Sequence, residues 1–293
     1  MHLAFTKMNG LGNDFVMIED LEVALDFAPE AVQWLCDRRF GIGADGLILI
    51  RPATAPEADY YMYYFNADGS LAEMCGNGAR CFAKYVVDHG LMPADSSALV
   101  IETLGGLRPV TFRRNAEGLL AEATVDMGAP EFVPARIPST FEGERVHNRN
   151  LGTPWGEVTI TALSMGNPHT VLWVDDVETA PVETVGPFLE HHERFPNATN
   201  VEFVHVIDVE SIGVRVWERG VGETLACGTG ASAAVVAAAL DGRTGRRVTV
   251  ELPGGDLTVE WRDDDHVYMT GSAAVSFSGW VDLPEDDSSR DDA

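Results

Sequence analysis

Cysteine and lysine are both scarce in this chain of 293 residues, and each scarcity excludes something. Four cysteines, Cys36, Cys75, Cys81 and Cys227, are too few for a secreted disulfide scaffold of this length. No two form C-x-x-C. Cys75 and Cys81 lack zinc-knuckle spacing and no histidine pair completes a ligand set, so no metal site is expected. The only lysines are Lys7 and Lys84, and Lys84 falls inside an apolar helical run, which argues against a pyridoxal phosphate Schiff base. G-x-x-x-x-G-K-[ST] is absent, and "GNGARC" and "GTGASA" both lack the third glycine of a dinucleotide loop. No cofactor is expected. No apolar run approaches the roughly 20 residues that span a bilayer, and "MHLAFTKMNG" has no charged-then-apolar leader pattern. The expectation is a cytoplasmic protein.

Positive charge is also short. Asp and Glu number 46 against 20 Lys and Arg, a formal net charge of −26. So acidic a surface repels nucleic acid and anionic membranes, so neither is expected as a partner. The carboxylates are spread along the chain. That distribution fits a halophilic protein, in which salt screens the self-repulsion.

What is present is a device used twice. "CGNGARCFAKYVVDHG" opens at Cys75 and "CGTGASAAVVAAALDG" opens at Cys227. Each is Cys-Gly-x-Gly-Ala, an apolar helical run, and a closing glycine 15 positions after the cysteine. Other echoes keep the same order. Gly12-Asn13 is matched by Gly166-Asn167, and "IETLGG" from Ile101 by "VELPGG" from Val250. Asn66 and Glu218 each stand nine residues before their cysteine. The offsets of 154, 152 and 149 residues argue for an internal duplication of about 150 residues. Strand and helix patterns alternate with short connections, which gives mixed α/β layers and not a doubly wound parallel sheet. The lobes are expected at residues 1–123 plus 272–284, carrying Cys75, and 124–271, carrying Cys227. Residues 285–293 read as a disordered acidic tail.

A helix N-terminus carries partial positive charge and unpaired N–H groups. A cysteine there should have a depressed pKa, and glycines beside it let a carboxylate reach the backbone. Two such units, facing each other, suit inversion of a stereocentre next to a carboxylate. One thiolate removes the α-proton while the other thiol delivers a proton from the opposite face. The helix termini would stabilise the charge that spreads onto the carboxylate. Cys36 and Cys81 have no such context and read as core residues.

The blocks "MNGLGNDF", "GIGADGLILI", "FNADGSLAEMCGNGARC", "GNPH", "FPNATNVEF", "ERGVGETLACGTGASA" and "MTGSAAVSFSGWVDL" resemble diaminopimelate epimerase. The resemblance implies a cofactor-independent epimerase that converts LL-diaminopimelate to the meso form in lysine biosynthesis. It implies two pseudo-symmetric lobes, each a β-sheet or barrel wrapped round a central helix, with the last strand returning to the first lobe. It makes Cys75 and Cys227 the catalytic pair, with Cys227 the base toward LL substrate and Cys75 toward meso. Gly76-Asn77 and Gly228-Thr229 would hold the reacting carboxylate. Asn13 and Glu218 would meet the reacting amino group, and Asn66, Asn167, Asn200 and Arg219 the distal amino acid end. His169 would be an auxiliary group near the site. The partner is a small amino acid, with a second copy of the chain as a possible homodimer partner. Two positions depart from the family: Asn9 replaces a usual histidine, and Gly46 stands where some relatives have glutamine.

Rival functions fit the residues less well. A proline or hydroxyproline racemase also uses two cysteines, but its monocarboxylate substrate gives "ERG" and the asparagines nothing to grip. Phenazine-type isomerases lack the cysteine pair. A thiol redox protein would show a closely spaced pair. A non-catalytic amino acid binding protein would need neither thiol.

Overall fold

The computed structural model describes residues 1–283, so the acidic tail expected at 285–293 lies outside the described residues. The chain divides into two compact lobes. Met1–Gly10, Asp14–Ala121 and the chain from Ala273 form the first; Leu11–Asn13 and Glu122–Ser272 form the second.

The first lobe contains β1 (His2–Gly10), β2 (Asn13–Glu19), α1 (Pro29–Cys36), β3 (Gly46–Pro52), β4 (Tyr60–Asn66), α2 (Gly76–Asp88), β5 (Ala98–Thr103) and β6 (Gly106–Arg114). Then β7 (Leu120–Asp126) leads into the second, with β8 (Val146–Thr153), β9 (Gly156–Ser164), β10 (Pro168–Trp173), α3 (Val182–Glu190), β11 (Asn200–Val206), β12 (Ser211–Glu218) and β13 (Gly222–Thr224). There follow α4 (Gly228–Leu240), β14 (Arg247–Leu252), β15 (Gly255–Trp261) and β16 (Val267–Gly271). Finally β17 (Ala274–Asp282) returns to pair antiparallel with β1, residue for residue from His2–Asp282 to Lys7–Phe277.

The duplication is written in the strand pairing. β2–β3 is parallel, β3–β4 antiparallel, β4–β5 parallel and β5–β6 antiparallel. In the second lobe β10–β11, β11–β12, β12–β14 and β14–β15 repeat that alternation. Parallel neighbours cannot be joined by a hairpin, so each parallel step spans a helix. The crossovers are α1 and α2 in one lobe, α3 and α4 in the other. Strands that meet these helices read as apolar runs, as in "GLILI" of β3, where every residue is buried.

α2 and α4 are the central helices, each of 13 residues. α4 is rich in alanine and valine and contacts β9, β10, β11, β12, β14, β15 and β16. A helix apolar on every face has no solvent side, and its alanines let the strands close around it. Val235 and Val236, fully buried, each contribute about 1.5–3 kcal/mol. α2 is buried nearly throughout and packs on β1 and β3, and its Arg80 is among the largest fully buried side chains.

Both helices end alike. Leu91 N–H donates to Val86 O and Gly90 N–H to Val87 O, while Arg243 N–H donates to Ala238 O and Gly242 N–H to Ala239 O. These are the two bonds of a Schellman motif. They require a left-handed residue, supplied by Gly90 at φ 71° and Gly242 at φ 64°.

Candidate active site

Cys75 and Cys227 are the N-caps of α2 and α4, both in extended conformation. Cys75 O accepts from Ala79 N–H at 2.8 Å and Cys227 O from Ala231 N–H at 2.9 Å, which starts each helix. Each sulfur accepts a hydrogen bond from the third residue on: Cys75 Sγ from Gly78 N–H at 3.5 Å, Cys227 Sγ from Gly230 N–H at 3.4 Å. A thiol here does the work usually given to a serine or aspartate cap.

In the first lobe Asn66 closes β4, paired with Gly46 across the β3–β4 ladder, and its Nδ2 donates to Ser70 Oγ at 3.0 Å. Asn77 is buried in the first turn of α2 beside Gly76. Asn13 opens β2, half-buried. A Cβ at Gly46 would lie 2.6 Å from both Phe65 O and the Tyr64 ring, so no side chain fits there. Asn9 faces the β1–β17 pair, donating from Nδ2 to Ser276 Oγ at 3.2 Å. An ion network borders these residues. Asp14 accepts from Arg38 at 2.7 and 2.9 Å and pairs with Lys7 at 2.9 Å, while Arg38 also reaches Asp45 at 2.7 Å. Burial pushes the Asp14 carboxyl up, but the hydrogen bonds and charges of Arg38 and Lys7 outweigh it and hold it at about 2.

In the second lobe the expected residues draw together. Thr229 Oγ1 lies 3.4 Å from Cys227 Sγ. Glu218 ends β12, takes a 2.6 Å hydrogen bond from Thr224 Oγ1 and acts electrostatically on Cys227. Asn200 is buried and works as a strut: its Nδ2 donates to Pro168 O at 2.8 Å, and its Oδ1 accepts Arg219 N–H at 2.9 Å. It thereby ties the "GNP" loop to the "ERG" loop. Arg219 also donates from Nη1 to Asn197 O at 3.1 Å. His169 is fully buried, 2.6 Å from Glu202 Oε1 through Nδ1 and 2.8 Å from Asn167 Oδ1 through Nε2.

One sequence expectation reverses. A helix-capping thiol should ionise easily, but the Cys227 thiol is pushed well above its ordinary value. Desolvation is the largest cause and the Glu218 charge adds to it; the Thr229 and Gly230 hydrogen bonds pull the other way and lose. Burial beats the helix dipole because the cap is only 5% exposed. Cys36 and Cys81, both buried in the core, are also pushed up to about 12 by burial, as inert thiols should be.

The family model for diaminopimelate epimerase matches residues 5–133 and 161–276. Curated relatives of that name match nearly end to end. The one from Moorella thermoacetica is 50% identical, with 96% of this chain and 99% of the relative covered. The one from Pelotomaculum thermopropionicum is 49% identical, covering 94% and 97%. The chain belongs to the diaminopimelate epimerase family. It is an isomerase. Among solved structures it is similar to a hydroxyproline epimerase from Agrobacterium vitis, with TM-score 0.72, 14% identity, and 96% and 92% of the two chains covered. A Bacillus anthracis phenazine biosynthesis protein of the PhzF family gives TM-score 0.69 at 17% identity, covering 96% and 99%. At these identities the likeness is one of fold, the two-lobed α/β architecture.

The motif "NVEF" carries a glutamate for which the sequence alone gives no role. Glu202 is fully buried, and it acts on both His169 and Cys227. The signal was there: a lone carboxylate in an otherwise apolar strand core. Thr224, which holds Glu218, has no signal of its own in the sequence.

Proposed function

We propose that the protein inverts one α-carbon of diaminopimelate, LL to meso, by a two-base reaction in which Cys75 and Cys227 serve opposite faces. The observation that carries this reading is the pair of cysteine caps, each with its sulfur on a helix N–H. In this scheme Gly76-Asn77 and Gly228-Thr229 offer N–H groups to the reacting carboxylate, where charge accumulates as the α-proton leaves. Asn13 and Glu218 take the reacting ammonium. That contact also answers the question raised by the buried Cys227 thiol. An ammonium beside Glu218 cancels the carboxylate charge that opposes ionisation, so substrate binding itself helps the thiol become a base. Asn66, Asn167 and Arg219 serve the distal end, with Asn200 tying their loops together, and this fixes one half of a symmetric substrate while the other reacts.

The chemistry is read as independent of pyridoxal phosphate. Both lysines already have partners: Lys7 binds Gly43 O and Asp14, and Lys84 binds Leu120 O at 3.0 Å and Asp88 at 2.7 Å. We further read the protein as cytoplasmic and adapted to high salt. No helix among the described residues is long and apolar enough to cross a membrane. The deciding experiment is epimerisation of LL-diaminopimelate by purified, reduced protein, run beside L-proline. Activity on proline and none on diaminopimelate would sink the reading.

A further inference from the structure

β10 and β11 run parallel with His169 opposite Asn200, so Glu202, two residues further along β11, lies on the same side of the sheet as Asn200. His169 and Glu202 are both fully buried, with Nδ1 and Oε1 2.6 Å apart. The groups around Glu202 come from three elements: His169 on β10, Cys227 and Gly230 at the start of α4, and Glu218 on β12. A Cβ added to Gly230 would lie 2.9 Å from Glu202 Oε1, so the helix start and the carboxyl are in close approach.

Proton counting then fixes the imidazole. Suppose Glu202 is ionised and His169 carries only the Nδ1 proton. The pair would be a net buried anion with a bare Nε2, beside another carboxylate, and that is the costly state. Of the neutral arrangements, one puts the proton on Oε2 while Nδ1–H donates to Oε1; it would leave a buried O–H with nothing to accept it, because Oε2 is buried without a hydrogen-bond partner. In the other two, Glu202 donates its proton to Nδ1, or the pair is carboxylate and imidazolium. In both of these, Nε2 carries a hydrogen. It must donate, and the atom 2.8 Å away must accept, which is Asn167 Oδ1. The upward push that burial gives the Glu202 carboxyl agrees with a proton held within the pair.

We infer that Glu202 is a positioning residue, which through His169 locks the half-buried amide of Asn167 with its oxygen inward and its NH2 toward ligand. This rests on the reading above that Asn167 meets the substrate's distal end. It deepens that reading, because an outward NH2 can only donate. It suits a carboxylate, beside Arg219, and rejects an ammonium. Without Glu202, His169 is free to carry its proton on Nδ1. Asn167 can then turn its oxygen outward against the substrate carboxylate.

The test compares wild type with Glu202→Gln, which keeps the shape but not the enforced proton. Asn167→Asp serves as a second variant that keeps the oxygen for His169 and replaces the outward NH2 by oxygen. The readouts are kcat and KM for LL-diaminopimelate, and ¹⁵N NMR of histidine-labelled protein, with the His169 signals assigned from a His169→Gln sample. In wild type the His169 Nε2 should carry a hydrogen, and in Glu202→Gln a substantial fraction should move to the Nδ1 form. Both Glu202→Gln and Asn167→Asp should raise KM on the order of tenfold, the loss of a hydrogen bond to a charged group, with kcat within about threefold. A bare Nε2 in wild type overturns the inference, as does an unchanged KM in either variant. A fall in kcat with KM unchanged also overturns it and would place Glu202's effect on the Cys227 thiol. Wild type that binds and turns over no diaminopimelate would instead defeat the substrate reading, while the NMR result still decides where the His169 proton sits.

Discussion

Cys75 and Cys227 hold the same place in the same motif, but their neighbours have opposite charge. Beneath Cys75 lies Arg80, a fully buried guanidinium in electrostatic contact with it. Around Cys227 are two carboxylates, Glu218 and Glu202, and a helix rich in alanine and valine. The duplication therefore kept the backbone device, from cysteine cap to closing glycine, and let the electrostatics diverge. A symmetric scaffold thus carries two thiols in different surroundings, one beside a guanidinium and one beside carboxylates.

The strongest way to break the comparison is to remove each sulfur. Cys75→Ala and Cys227→Ala should each lower net epimerisation by at least about 10³-fold, since one face then lacks its acid or base. In D₂O the two should part company. Cys75→Ala should still wash deuterium into LL substrate and Cys227→Ala into the meso form. Substantial epimerisation in either variant would overturn the pairing. Short D₂O incubation of wild type should place deuterium in product and almost none in unreacted LL substrate.

A gentler probe adds a methyl group to the equivalent glycine of each cap. In Gly230→Ala the new Cβ meets Glu202 Oε1 at 2.9 Å, an oxygen already held by His169. In Gly78→Ala it meets the end of Ile48 at 3.2 Å, which can yield. We expect kcat/KM to fall roughly 10–100-fold for the first and less than about threefold for the second, by displacement of the site geometry. Equal losses would mean the two caps are not differently built.

Alkylation sharpens the contrast further. Cys75 is half-buried while Cys227 is 5% exposed with its thiol pushed up, so at neutral pH iodoacetamide should modify Cys75 first. The same raised thiols set an alkaline limit on stability. A group whose folded pKa is raised contributes fully below its ordinary value, and the contribution is lost as pH rises. For Cys81 that window runs from 9.0 to about 12, at about 1.4 kcal/mol per pH unit. Denaturant midpoints measured across it should fall more steeply in wild type than in Cys81→Ala. The smallest expected effect is that of salt. The thermal midpoint should rise by several degrees between dilute buffer and molar potassium chloride, given a net charge of −26. A flat response would remove the high-salt reading and leave the catalytic one untouched.

Much of this was legible in the chain because duplication prints itself twice. The offset between Cys75 and Cys227 reappears as the matched α2 and α4, and the Gly-Asn echo reappears at the edges of β2 and β10. What stayed hidden depends on distance through space. Glu202 and His169 are 33 positions apart and meet only because β10 and β11 pair in parallel across α3. No spacing rule could announce that Asn200 spends both ends of its amide on loop backbone. The raised Cys227 thiol is hidden from the sequence for a similar reason. A helix dipole can be read from a motif, whereas burial and nearby carboxylates need the fold.

The two lysines have one more consequence. Lys7 is sealed against Asp14 and Gly43, with 8% of its side chain exposed, and Lys84 against Asp88 and Leu120, with 13%. A folded molecule treated with an amine-reactive dye, biotin ester or cross-linker should therefore take up little label on either lysine. Label appearing there would report that the fold around one of the buried ammonium groups has opened.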